Sequence, residues 1–155
     1  MTKLTHVDEH GDARMVDVGE KPPTRRTATA EGFATLGPEA LRAVVERTAK
    51  KGDVLATAQL AGIQGAKRTA DLIPLCHPIP IDGISVTLTV DGDRVRCEAT
   101  VTTSWRTGVE MEALSAVSAA LLTVYDMLKA VDRGIVVGPI ALVEKRGGKS
   151  GDWHR

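Results

Sequence analysis

Aromatic side chains are scarce: two Trp, one Tyr and one Phe make up 3% of the 155 residues. So few rings disfavour a base-stacking platform for single-stranded nucleic acid, and the core must be built from Val, Leu, Ile and Ala. Cysteine is scarce too. Cys76 and Cys97 stand alone, and no apolar leader opens the chain. A secreted disulfide framework is therefore disfavoured, and a cytoplasmic, reducing setting is expected. Long apolar runs are missing, with none near the roughly 18 residues a membrane span needs, so no membrane association is expected. Net charge is missing as well: 20 Lys and Arg balance 20 Asp and Glu. No global field draws the protein to nucleic acid or an anionic surface, and any anion binding must come from cations placed locally.

What remains is an ordinary globular composition, 43% hydrophobic and 26% charged, at the length of one domain over residues 1–155. Residues 1–23 are polar, with Gly11, Gly19, Pro22 and Pro23, and read as a mobile arm. Thr24 to Leu36 suits an extended segment of weak alternation. A helix is expected from Pro38 towards Lys50, and a second after Asp53 as N-cap. Gly62 and Gly65 in that second helix each cost about 1 kcal/mol relative to Ala, which implies close packing against another backbone or an early helix end. Ile84 to Val90 and Val95 to Val101 alternate about the turn Asp91-Gly92-Asp93, predicting an antiparallel hairpin. A long helix runs from Glu110 to about Val131, with Leu114, Val117, Leu121, Val124 and Leu128 as its apolar stripe. Ile135 to Val143 forms a last strand, with Gly138-Pro139 marking a bulge or edge, and residues 147–155 read as a flexible Gly-Lys tail. The order predicts an α+β fold, helices on one face of a small antiparallel sheet.

Several residues break local rules. Asp126 sits near the C-terminus of the long helix, where the macrodipole disfavours a carboxylate. Lys129, three residues on, shares its face. A solvated ion pair explains them, and so does a proton-transfer pair. Glu110 and Glu112 suit a helix start. Glu112 and Asp126 lie about 21 Å apart along a straight helix, so one nucleotide-sized ligand can hardly engage both in the same chain. A site using both has to be shared between subunits. Lys51, Lys67, Arg68, Lys129, Lys149, Arg25 and Arg26 cluster at segment ends, as solubilising charges or as polyphosphate ligands. Gly147-Gly148-Lys149-Ser150 is not a P-loop, because Val143 stands where its first glycine belongs and five residues remain to form a helix. Cys76 and His77, in a segment with Pro74, Pro78 and Pro80, lack zinc-ligand spacing, and no metal is expected. His77 reads as a rigidly held ligand contact or as a structural histidine.

Taken in order, Leu4-Thr5-His6-Val7, Met15-Val16-Asp17-Val18, Lys51-Gly52-Asp53-Val54, Ala61-Gly62-Ile63-Gln64, Ala66-Lys67-Arg68-Thr69, Asp71-Leu72-Ile73-Pro74-Leu75-Cys76-His77-Pro78, Thr107-Gly108-Val109-Glu110-Met111-Glu112-Ala113-Leu114, Tyr125-Asp126-Met127, Lys129-Ala130 and Gly147-Gly148-Lys149-Ser150-Gly151-Asp152 resemble the cyclic pyranopterin monophosphate synthase family of molybdenum cofactor biosynthesis. The resemblance implies a ferredoxin-like α+β fold and a homohexamer, a trimer of dimers with sites at subunit interfaces. It implies a lyase acting on the 3′,8-cyclo-7,8-dihydro derivative of GTP, with cyclic pyranopterin monophosphate and diphosphate as products. Asp126 then matches the catalytic acid/base and Lys51, Lys67 and Lys129 the essential lysines. Leu75, Cys76, His77, Glu110, Met111 and Glu112 fall on substrate-contacting stretches, and Arg26 and Lys149 on positions that hold phosphate. A lysine of depressed pKa would suit the proton transfers. No redox change occurs, so no cofactor is expected. A non-catalytic guanine-nucleotide sensor and a purely structural oligomer module are the alternatives.

Overall fold

Small side chains decide where the central strand lies. In the computed structural model, which describes residues 5–155, β1 (Thr24–Thr35) turns Ala28, Ala30, Gly32 and Ala34 inward, all buried. A Cβ at Gly32 would stand 2.7 Å from Val117 Cγ1 and 3.0 Å from Leu121 Cδ1. Helix α4 (Glu110–Leu128) thus lies on β1 at a distance that only Ala and Gly permit. The weak alternation of this stretch has that cause: its inward residues are small rather than strongly apolar. Leu4, the first residue of the family-like stretches, and residues 1–3 of the arm lie outside the described residues.

The sheet adds β2 (Gly83–Asp91), β3 (Arg94–Trp105), β4 (Val136–Arg146) and β5 (Trp153–His154), in the order β2-β3-β1-β4-β5. All neighbours are antiparallel. The predicted hairpin closes at Asp91↔Arg94, with Gly92 at φ 62° in its turn. Val95, Cys97, Ala99 and Val101 of β3 are fully buried beneath the helices. The opposite face is polar: Thr29 and Thr100 pair their hydroxyls at 2.9 Å, and Arg96 bridges Glu31 and Glu98 at 2.8 and 2.7 Å. This is an α+β fold of ferredoxin-like type, with its helices on one face.

Helices α1 (Pro38–Val45), α2 (Val54–Lys67) and α3 (Thr69–Leu72) complete the layer. The Asp53 carboxylate caps α2 by accepting from the Ala56 N–H at 3.0 Å. Gly62 and Gly65 meet α4 as their cost implied: a Cβ at Gly65 would lie 2.5 Å from Ala119 Cβ and 2.9 Å from Ser115 O, and one at Gly62 3.1 Å from Ala116 O. Helix α1 stops five residues before Lys50, as Arg47 turns left-handed at φ 56° and Thr48 N–H returns to Ala43 O. Helix α4 buries Val117, Leu121, Val124 and Leu128 completely. One expectation needs amending: α4, 19 residues at mean hydropathy 1.3, is long and apolar enough to cross a membrane, and half of that stretch is buried in this protein's own core.

The strand pairing slips between Gly32 and Ala34, opposite the Gly138-Pro139 step, where a bulge or edge was expected. The described residues of the arm and the tail each make contacts of their own. Within the arm Val7 bridges Ala13, and Val16 reaches His77. In the tail, Gly147 N–H donates to Asp152 Oδ1 at 2.9 Å, and β5 then pairs with β4.

Candidate active site

Prolines keep residues 73–81 out of any regular ladder, so side chains and neighbouring strands fix the segment instead. Thr103 Oγ1 donates to Pro80 O at 2.5 Å, tying its end to β3. His77 Nε2 lies 2.7 Å from Val16 O. A carbonyl only accepts, so Nε2 is the donor in this contact. The segment and the start of α4 enclose a cavity of about 310 Å³. Leu75, Cys76, His77, Glu110, Met111 and Glu112 all line it, with Val16, Val18 and Lys21 of the arm. The six positions expected to contact substrate here are thus brought together.

Glu112 dominates the electrostatics of this cavity. Its residue is 4% exposed, and burial, reinforced by the charge of Glu110, pushes its carboxyl up to about 7. Near neutral pH it exists both as an acid able to donate and as a carboxylate able to accept. The Cys76 thiol is likewise pushed up, by burial and then by Glu112, and is protonated rather than nucleophilic. Glu110 faces Lys145 at 3.7 Å, which compensates its charge.

A second cavity, about 800 Å³, adjoins the first and shares Lys21, Thr107 and Gly108 with it. Arg26 and Lys149, the expected phosphate ligands, line it together with Arg106 and Glu20. Arg26 Nε donates to Trp105 O at 3.3 Å. Gly148, at φ 80°, presents no side chain to the Arg26 guanidinium, which lies where a Cβ would stand. Lys67 lines a smaller space of about 110 Å³ that shares His77 and Glu112 with the first cavity. Among the residues lining the two adjoining cavities, Glu20, Lys21 and Arg106 are the ones that sequence reasoning did not single out. A signal existed for Arg106, which immediately precedes the Thr107-Gly108-Val109-Glu110-Met111-Glu112 stretch.

The remaining catalytic candidates stand at the opposite end of α4. Asp126 accepts from Lys51 Nζ at 2.7 Å through Oδ2 and from Lys129 Nζ at 2.8 Å through Oδ1. Lys51 also donates to Asp126 O at 3.1 Å. Lys129 first, and then Lys51, hold the Asp126 carboxyl down at about 2, while Asp126 raises the Lys129 ammonium. Lys129 is thus not the depressed lysine that would suit the proton transfers, because the nearest charge to it is a carboxylate, which favours its protonated form. Helices α2 and α4 run antiparallel. Lys51 therefore meets Asp126 at one end, whereas Lys67 shares a cavity with Glu112 at the other. A single chain carries two groups of candidate residues and does not join them.

Residues 15–148 match the MoaC family. The chain belongs to the MoaC family. Among its relatives is the cyclic pyranopterin monophosphate synthase of Thermomicrobium roseum, 59% identical over all of this chain and 95% of that protein. The protein named cyclic pyranopterin monophosphate synthase 1 in Mycobacterium tuberculosis is 58% identical over 98% of this chain and 90% of its own length. The synthase of Novosphingobium aromaticivorans is 55% identical over 99% of this chain and 98% of its own. The matched region of the family runs from Met15, at the arm over the His77 cavity, to Gly148, beside Arg26.

Proposed function

We propose that this chain is a cyclic pyranopterin monophosphate synthase of molybdenum cofactor biosynthesis. It converts 3′,8-cyclo-7,8-dihydro-GTP into cyclic pyranopterin monophosphate and diphosphate. The observation that carries the reading is the pair of adjoining cavities. One is walled by Glu112, His77 and Met111 and suits a neutral, hydrogen-bonding bicycle. The other is lined by Lys21, Arg26 and Lys149 and suits a triphosphate.

The two groups of residues divide the chemistry. Arg26 and Lys149 hold the triphosphate and stabilise diphosphate as it leaves the α-phosphorus, to which a substrate oxygen bonds to close the cyclic phosphate. Lys67, beside Glu112, adds positive charge at the rim. Asp126 is ionised at neutral pH and anchors two ammonium groups. On substrate approach Lys51 or Lys129 gives a proton to the ring being opened, and the group that it leaves takes one back on reclosure. The two ends of α4 meet across a subunit interface, which fits a homohexamer built as a trimer of dimers. The reaction is redox-neutral and needs no electron-carrying cofactor. The workplace is the cytoplasm, where GTP is at hand.

The test is diphosphate release from the cyclic dihydro-GTP substrate by purified protein, with mass detection of the pterin. Release with product at turnover supports the synthase. Tight binding without release contradicts it and favours a guanine-nucleotide sensor.

A further inference from the structure

One arginine lining the larger cavity has no protein partner among the described residues for one of its nitrogens. Arg106 Nε is buried and makes no hydrogen bond among the described residues. No carboxylate of the described residues forms an ion pair with its guanidinium. Leaving such a donor unmet carries a desolvation penalty that a suitable acceptor would remove. What does hold the group is the Trp105 ring, whose centroid lies 5.5 Å from the guanidinium carbon. The ring braces the guanidinium from one side and supplies no acceptor to Nε.

The surroundings name the chemistry of that acceptor. Four cations, Lys21, Arg26, Arg106 and Lys149, line the cavity against the one carboxylate of Glu20. Arg26 spends its own Nε on Trp105 O, at 3.3 Å, so its placement is set by protein while that of Arg106 is not. We propose that Arg106, braced on Trp105, is a phosphate-binding residue that takes the outer phosphates of the substrate and of the departing diphosphate through its unpartnered N–H edge. The assignment rests on the triphosphate reading above and adds to it a residue that recognises the anion's geometry as well as its charge.

Inorganic tripolyphosphate is the probe, titrated calorimetrically into the full-length protein. Arg106→Gln should weaken its binding about tenfold or more, as loss of a charge-assisted pair does. Arg106→Lys should fall between, keeping charge without the fork. In the unaltered protein, the Arg106 Nε–H resonance should move as tripolyphosphate is added, a readout that requires no variant to fold. Unchanged affinity in Arg106→Gln, a resonance that stays in place, or no tripolyphosphate binding by the unaltered protein would overturn the proposal. With substrate, Arg106→Gln should raise KM more than it lowers kcat. Turnover at an unaltered KM would overturn the role of Arg106 and leave the synthase standing. Tripolyphosphate binding that depends on Arg106, in a protein that never releases diphosphate, would sink the synthase and leave the anion site.

Discussion

The two ends of α4 hold carboxyl groups of opposite character. Asp126, half-exposed between two ammonium groups, is held at about 2. Glu112, buried beside another carboxylate, is pushed up to about 7. One helix thus presents a permanent anion at its C-terminal end and a titrating acid near its N-terminus. Neighbouring charge sets the first and loss of water sets the second. The lesson is that position on the helix decides little. The dipole favours a carboxylate at the end where Glu112 sits and disfavours it where Asp126 sits, and in both cases the local surroundings override it.

Removing the exposed carboxylate tests whether its end of α4 is catalytic. Asp126→Asn should lower turnover by roughly 10²–10⁴-fold while leaving the thermal midpoint within a few degrees, because the group it replaces is half-exposed. Near-normal turnover would reduce the cluster to a surface ion network. Next in size, and common to both ends, is Gly65→Ala, which pushes α2 off α4 where a Cβ would meet Ser115 O at 2.9 Å. It should cost about 1–3 kcal/mol in denaturant unfolding, as overpacking does, and lower activity along with it. An unaffected midpoint would mean that the helix pair is looser than its contacts imply.

Glu112→Gln sharpens the contrast through pH. The folded-state carboxyl lies above its ordinary value of 4.5, so the native state binds the proton more tightly than the unfolded chain. Stability from this group therefore falls as pH rises from about 4.5 to about 7. The Gln variant should be more stable than the parent at pH 8 by roughly 1–3 kcal/mol and no more stable at pH 4. Equal stability at both pH values would mean that Glu112 is solvated. The smallest effect concerns Asp126, where the sign reverses. A lowered carboxyl contributes stability above its ordinary value of 3.8, and loses it as pH falls through about 2. The midpoint difference between parent and Asp126→Asn should be small at pH 7 and vanish in strong acid; a difference that persists there would point to a role other than ion pairing.

Much of this was legible before any coordinates. The hairpin, the α4 stripe and the glycines of α2 follow from period and propensity. The 14-residue gap between Glu112 and Asp126 already separated the two ends. What was hidden depended on neighbours distant in sequence. β1 read weakly because Ala28, Ala30 and Ala34 gain meaning only under α4. The triad of Lys51, Asp126 and Lys129 needed α2 laid antiparallel on α4, which local pattern does not give. Arg106 was not singled out, because its unpartnered Nε and the cavity beside it depend on the folded surroundings. The arm's contact with His77 and the tail's pairing with β4 leave no sign in polar composition.

The central claim is that the two ends of α4 serve one site from different chains. Subunit complementation tests it most directly: Asp126→Asn and Glu112→Gln chains, each inactive alone, are unfolded together, refolded as mixed oligomers, and assayed for diphosphate release. The account predicts that activity returns in the mixture, because some interfaces pair an intact Asp126 end with an intact Glu112 end. Mixed oligomers that form and stay as inactive as either parent would contradict it.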